Sequence, residues 1–71
     1  MTKNYLIINE SWSFSVCAEE FKIEKNNTTL SEYITFESKG RSVARVKKNY
    51  VKEIRELHFL SEDTIVYKKE N

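Results

Sequence analysis

His58, Ser61 and Asp63 are the residue types of a nucleophilic triad, and Cys17 with His58 are those of a thiol-based one. The trio falls within one polar turn and has no glycine-rich segment beside it to supply an oxyanion hole. Cys17 lies on a stretch of strand-like alternation, where a thiol is ordinarily inert. A structural zinc site wants four ligands, and His58 and Cys17 are the only nitrogen and sulfur donors of the preferred kind. Glu19-Glu20 and Glu62-Asp63 put carboxylates side by side, as general acid–base work requires, but both pairs sit at predicted turns, where such groups are ordinarily solvated. A single glycine, Gly40, cannot build a loop that brings several backbone amides to a phosphate. The expectation is a chain with no catalytic site, no metal and no cofactor.

One constellation stands out by charge. The whole chain carries 12 Lys and Arg against 11 Asp and Glu, a formal net charge of +1. Residues 1–38 hold six acids and three lysines, whereas residues 39–52 hold Lys39, Arg41, Arg45, Lys47, Lys48 and Lys52 with no acid among them. Read as strands, this segment places Arg41, Arg45 and Lys47 on one side and Ser42, Ala44 and Val46 on the other, with Tyr50 alongside. The candidate binding residues are therefore Lys39, Arg41, Arg45, Lys47, Lys48, Tyr50 and Lys52.

A basic stripe meets either of two partners. An acidic patch on another protein is the first, with the acidic part of residues 10–37 forming a second surface or opposing self-association. Nucleic acid is the alternative, since small β-barrels combine a positive groove with aromatic stacking platforms. The near-neutral chain as a whole favours the protein partner, because nucleic-acid domains commonly show an excess of Lys and Arg overall. A small sheet also has edges to spare, which makes pairing with a partner strand or with a second copy an option.

The elements that carry these residues read as short strands. Trp12, Phe14, Val16 and Ala18 alternate with Ser13, Ser15 and Cys17, the two-residue period of a strand with one buried face. Tyr5–Ile8 precedes it as a short apolar strand, with Asn9-Glu10-Ser11 turning the chain back into a hairpin. Phe21 and Ile23 mark a third strand, followed by a turn at Asn26-Asn27. Ile34 and Phe36 mark a fourth, which returns through Lys39-Gly40 to Val43–Val46. Thr29-x-x-Glu32 matches a capping box but leaves room for one helical turn at most before the run Tyr33-Ile34-Thr35-Phe36. Thr64–Lys68 closes the chain as a strand after Ser61-Glu62-Asp63.

Residues 42–60 admit two readings. Val43, Val46, Tyr50, Ile54 and Leu57 recur at spacings of three and four, one apolar helical stripe. As strands, Val51 and Ile54 lie three apart, so a bulge is needed to bury both. The expected fold is mostly β: a small antiparallel sheet or barrel of five to six strands, with room for one helix within residues 47–60 and α+β as the alternative. The expected core is Trp12, Phe14, Val16, Ile34, Phe36, Val46, Ile54, Ile65 and Tyr67.

With 71 residues, 39% of them hydrophobic and 13% aromatic, the chain predicts one folded domain spanning residues 1–71. The lone Cys17 precludes an internal disulfide and fits a reducing, cytoplasmic setting. The apolar run Tyr5–Ile8 is too short for a signal segment or a membrane span, so no membrane attachment is expected. In size, Lys/Asn/Ile-rich composition and lack of catalytic groups the chain resembles the short accessory proteins of bacteria, their phages and mobile elements. Many of these act stoichiometrically as inhibitors or regulators, and that resemblance implies a non-catalytic protein-binding module.

Overall fold

A computed structural model describes residues 1–70. The described residues form seven strands in order: β1 (Lys3–Ile8), β2 (Ser13–Ala18), β3 (Glu20–Lys25), β4 (Glu32–Ser38), β5 (Arg41–Lys47), β6 (Glu53–Leu57) and β7 (Thr64–Lys68). The only helical element among the described residues is a 3₁₀ turn, Lys48–Tyr50, between β5 and β6. They assemble into a four-stranded sheet of order β2-β1-β6-β7 and a three-stranded sheet of order β3-β4-β5, antiparallel throughout. The mostly β class expected from the sequence is the one observed, with seven strands rather than five to six. No helix among the described residues is long and apolar enough to cross a membrane.

Each hairpin turn has a local cause. Asn9 Oδ1 accepts the N–H of Ser11 at 2.9 Å, and the N–H of Asn9 reaches the carbonyl of Trp12 at 2.8 Å, which closes β1 onto β2. Asn26 Oδ1 takes the N–H groups of Thr28 and Thr29, while Leu30 N–H bonds the Asn26 carbonyl at 2.7 Å. The capping residue of that loop is thus Asn26, not the Thr29 of the expected box. Lys39 and Gly40 both adopt positive φ, 53° and 76°, the pair of left-handed residues that a two-residue hairpin with the native strand twist requires.

Glu19 is the corner where one sheet becomes the other. Its N–H bonds the Glu37 carbonyl at 2.9 Å and Ser38 Oγ at 3.2 Å, and its carboxylate accepts the N–H of Lys39 at 2.5 Å. The chain therefore leaves β2, bends once and enters β3 already fastened to the β4–β5 hairpin. This residue does more than the solvated surface role expected of the Glu19-Glu20 pair.

Alternation along the paired strands turns Tyr5, Ile7, Ala18 and Ile54 of one sheet and Ile34 and Phe36 of the other into a common core, completed by Val51. Tyr5 meets Phe21 edge-to-face and Phe36 at a tilt, with ring centroids 5.6 and 5.5 Å away, and Phe21 lies 5.7 Å from Phe36, so three rings bind the sheets together. Burial raises the Tyr5 hydroxyl above the ordinary tyrosine range, with the nearby Glu56 and Glu20 adding to it.

One of the two readings of residues 42–60 holds, that of strands, and the expected core needs correction. The helical stripe through residues 43–57 is coincidental: β5 carries a register shift opposite Phe36/Glu37, the 3₁₀ turn then resets the phase, and residues 53–57 are strand. Val51 lies before β6 and is separated from it by a bend at Lys52, so Val51 and Ile54 both bury despite their odd spacing. Among the expected core residues, Trp12, Phe14 and Ile65 are exposed, at 40%, 40% and 51%, because β2 and β7 are the outer strands of their sheet. Tyr5, Ile7, Ala18 and Val51 take their place.

Candidate functional site

The seven expected binding residues fall into three groups. Lys39 and Arg41 sit at the β4–β5 hairpin tip, roughly 20 Å from Lys47 by the rise of an extended strand. Arg41 pairs with Ser38 while Arg45 pairs with Thr35, three residues away, so the register shift puts Arg41 on a different face from Arg45 and Lys47. The single positive stripe expected from alternation is broken at this point.

Arg45 belongs to a network on the outer face of the three-stranded sheet. Its guanidinium lies 3.6 Å from Glu24 and 5.7 Å from the Tyr33 ring centre, and its Nε donates to Thr35 Oγ1 at 3.4 Å. Lys22 bridges Glu24 and Glu37 at 3.1 and 3.2 Å, and these carboxylates hold its ammonium above the ordinary lysine range. Arg45 roofs Thr35, the one fully buried polar side chain among the described residues. Lys48 reaches Glu32 at 3.3 Å. Carboxylates of the acidic first half thus engage two of the six basic residues of the segment, Arg45 and Lys48, whereas Lys39, Arg41, Lys47 and Lys52 have no carboxylate partner among the described residues.

Tyr50 and Lys52 form the third group, at the opposite end of β5. They line a cleft of about 310 Å³ between the β1–β2 turn, the 3₁₀ turn and the end of β7. Asn9 anchors one wall by donating through Nδ2 to the Tyr50 carbonyl, and the Lys52 N–H extends the β1–β6 ladder to the Ile8 carbonyl at 2.8 Å. Lys69 N–H bonds the Lys52 carbonyl at 2.9 Å and its ammonium donates to the Asn49 carbonyl at 3.0 Å. Tyr50 is 57% exposed above this cleft.

Lys68 and Lys69 are the residues that sequence reasoning missed. They stand sixteen and seventeen positions beyond Lys52, and only the β6–β7 pairing brings them to it. Among the described residues Lys52, Lys68 and Lys69 have no carboxylate partner, and the acids that share the cleft are Glu10 and Glu53, the latter held by Arg55. Lys48, Tyr67 and Glu32 border an adjoining hollow that shares Asn49, Lys68 and Lys69. The outcome is a cluster of lysine ammoniums with one exposed phenol ring, suited to carboxylates or other anions on a partner surface.

The groups that suggested catalysis are dispersed. His58 bonds Thr64 Oγ1 at 2.8 Å and approaches Glu56 at 3.8 Å, whereas the thiol of Cys17 donates to Asn4 Oδ1 at 2.8 Å. Ser61 makes no side-chain bond to His58, and Asp63 faces Arg55 at 4.0 Å. No cluster of three His, Cys, Asp or Glu side chains fit for a metal ion occurs among the described residues. No known protein family, curated protein or solved structure matches this chain.

Proposed function

We propose that the protein is a non-catalytic binding module that docks its lysine cleft onto an acidic surface of another protein. The observation that carries this reading is the convergence of Lys52, Lys68 and Lys69, none paired with a carboxylate among the described residues, around exposed Tyr50. An uncompensated cationic cluster steers an acidic partner and sets its orientation, while an amphipathic aromatic supplies contact area at low entropic cost. Docking acts by occupancy, with no bond made or broken, as in a stoichiometric inhibitor or regulator of the kind that phages and mobile elements encode. The exposed free thiol of Cys17 supports a reducing, cytoplasmic setting for it.

The proposed site overlaps only in part with the one expected from the sequence. Lys52 and Tyr50 stay in it, Lys68 and Lys69 join it, and Arg45 and Lys48 serve mainly to tie strands together. Binding of a labelled oligoglutamate peptide and of a labelled single-stranded oligonucleotide, each over a range of salt, tests the assignment. The expected result is salt-sensitive binding of the acidic peptide, weakened about tenfold or more by Lys52→Glu with Lys68→Glu and far less by Arg45→Glu with Lys48→Glu. Recovery of a nuclease-resistant protein from lysate, lost in the first double variant, would extend it. Equal peptide binding by wild type and the Lys52/Lys68 variant would remove the cleft from consideration, and tighter binding of the oligonucleotide than of the peptide would transfer the cleft to nucleic acid.

A further inference from the structure

Four strands lie at sheet edges, and they are not treated alike. β3 carries Glu20, Lys22, Glu24 and Lys25, and β5 carries Arg41, Arg45 and Lys47. β7 is bent by a register shift opposite Ile54/Arg55 and ends in Lys68. Charges and irregularities of this kind keep an edge from pairing with another chain. β2 has neither device. Its sequence Ser13-Phe14-Ser15-Val16-Cys17-Ala18 has no charged residue, and it pairs with β1 in unbroken register from Lys3↔Ala18 to Ile8↔Ser13. Phe14 is 40% exposed, with the Trp12 ring 5.3 Å away and equally exposed, so the unguarded edge also bears the two exposed aromatics of the β1–β2 hairpin.

We propose that β2 is the interface of a weak symmetric homodimer, in which two copies pair their β2 strands antiparallel into one continuous eight-stranded sheet. The choice of a second copy follows from charge and symmetry. A two-fold axis normal to the sheet opposes only residues of like parity. Phe14, Val16 and Ala18, which face the core side with Tyr5 and Ile7, then meet only one another, and Ser13, Ser15 and Cys17 do the same on the other face. Every register within the strand is therefore free of charge conflict and sets apolar against apolar. The same operation on β5 would oppose Arg41, Arg45 and Lys47 with their own copies. A foreign strand selected by charge would find nothing on β2 to read, whereas the lysine cleft, at a different surface, has charge and no self-complementarity.

A six-residue strand spans about 20 Å, and the surface it covers falls short of the roughly 800 Å² per partner typical of stable complexes. The dimer therefore dissociates in the range of about 10 µM to 1 mM. Sedimentation equilibrium across that range is expected to show the average mass rising from one chain toward two. Ser15→Lys, an exposed substitution that places an ammonium beside its symmetry mate, is expected to lower the association constant at least about tenfold. Lys52→Glu with Lys68→Glu leaves it unchanged, which separates this surface from the proposed partner site. Amide exchange of the unsubstituted protein provides a reading independent of how the variant folds: protection of β2 amides should increase with concentration while that of β3 and β5 amides stays constant. A single-chain mass at every concentration, a dimer indifferent to Ser15→Lys in folded protein, or protection gained on β5 instead would each overturn the proposal.

Discussion

In the three-stranded sheet, charged side chains occupy both edge strands and a salt-bridged network covers the outer face, so that Lys22, Glu24, Glu37 and Arg45 satisfy one another across β3, β4 and β5. In the four-stranded sheet the edge strand β2 is neutral and leaves Trp12 and Phe14 in solvent, while the uncompensated lysines gather at the other edge beside β7. Both sheets donate comparable side chains to one core. They differ in what they leave unsatisfied: the first pairs the charges of its outer face among themselves and leaves Lys25, Arg41 and Lys47 spread along its two edge strands, and the other keeps an open strand on one side and a gathered cationic cleft on the other. The lysines of the proposed cleft are thus gathered by strand pairing rather than by segment, since Lys68 and Lys69 lie outside the contiguous basic run that holds Lys52.

The sharpest way to break this contrast is to delete one aromatic from each sheet. Phe36, fully buried in β4 among Tyr5 and Phe21, should cost about 3–5 kcal/mol as Phe36→Ala, enough to unfold a domain of this size in denaturant titrations. Phe14→Ala on β2 should cost only about 1 kcal/mol, since much of its ring is already in water. Equal losses would mean that Phe14 supports the core and that β2 is not an available edge. A smaller effect compares the two turns. Gly40→Ala meets no atom within 4 Å but must hold φ near +76°, so a loss of about 1 kcal/mol in the same titration is expected from backbone strain alone, against almost none for Ser11→Ala in the β1–β2 turn.

The smallest effect lies at the corner between the sheets. The Lys39 N–H beside Glu19 holds this carboxyl below the ordinary glutamate range. A carboxyl with a lowered folded-state value stabilises the protein above the unfolded value and loses that contribution as pH falls through the folded one. Thermal midpoints followed from neutral to acid pH should therefore fall less steeply in Glu19→Gln than in the unsubstituted chain. Superimposable acid limbs would detach Glu19 from the joint.

Much of the architecture could be read locally, because antiparallel hairpins are local objects. Asn9-Glu10-Ser11, Asn26-Asn27, Lys39-Gly40 and Ser61-Glu62-Asp63 all lie where the chain reverses, and Thr64–Lys68 is strand over the whole of its expected range. The class followed from these. Alternation in Trp12–Ala18 correctly reported which side chains share a face, but a period of two carries no information on whether a second sheet extends far enough to cover that face, and at Trp12 and Phe14 it does not. Tyr5 and Ile7 became core for the complementary reason: β1 lies between β2 and β6, a position fixed by a pairing distant in sequence. The same limit applies to the site. Lys52 was visible in the basic run, but its neighbours Lys68 and Lys69 reach it only through the β6–β7 ladder, and the engagement of Arg45 by Glu24 depends on β3 and β5 flanking β4.

The pairing of β1 with β6, in which Asn4 faces Leu57 and Ile8 faces Glu53, also sets the order in which the protein is assembled. The hairpins β1–β2, β3–β4, β4–β5 and β6–β7 each close over a few residues and can form on the microsecond scale, but the four-stranded sheet exists only once the two ends of nearly the whole chain have met. Folding is then governed by a single long closure, with a rate in the milliseconds-to-seconds range of high-contact-order β domains. During synthesis β1 can pair with β2 but must wait with its other side unpaired until Leu57 has left the ribosome. In that interval β1 presents an open edge that the finished sheet covers with β6, so the step that completes the fold is also the one most open to pairing between nascent chains.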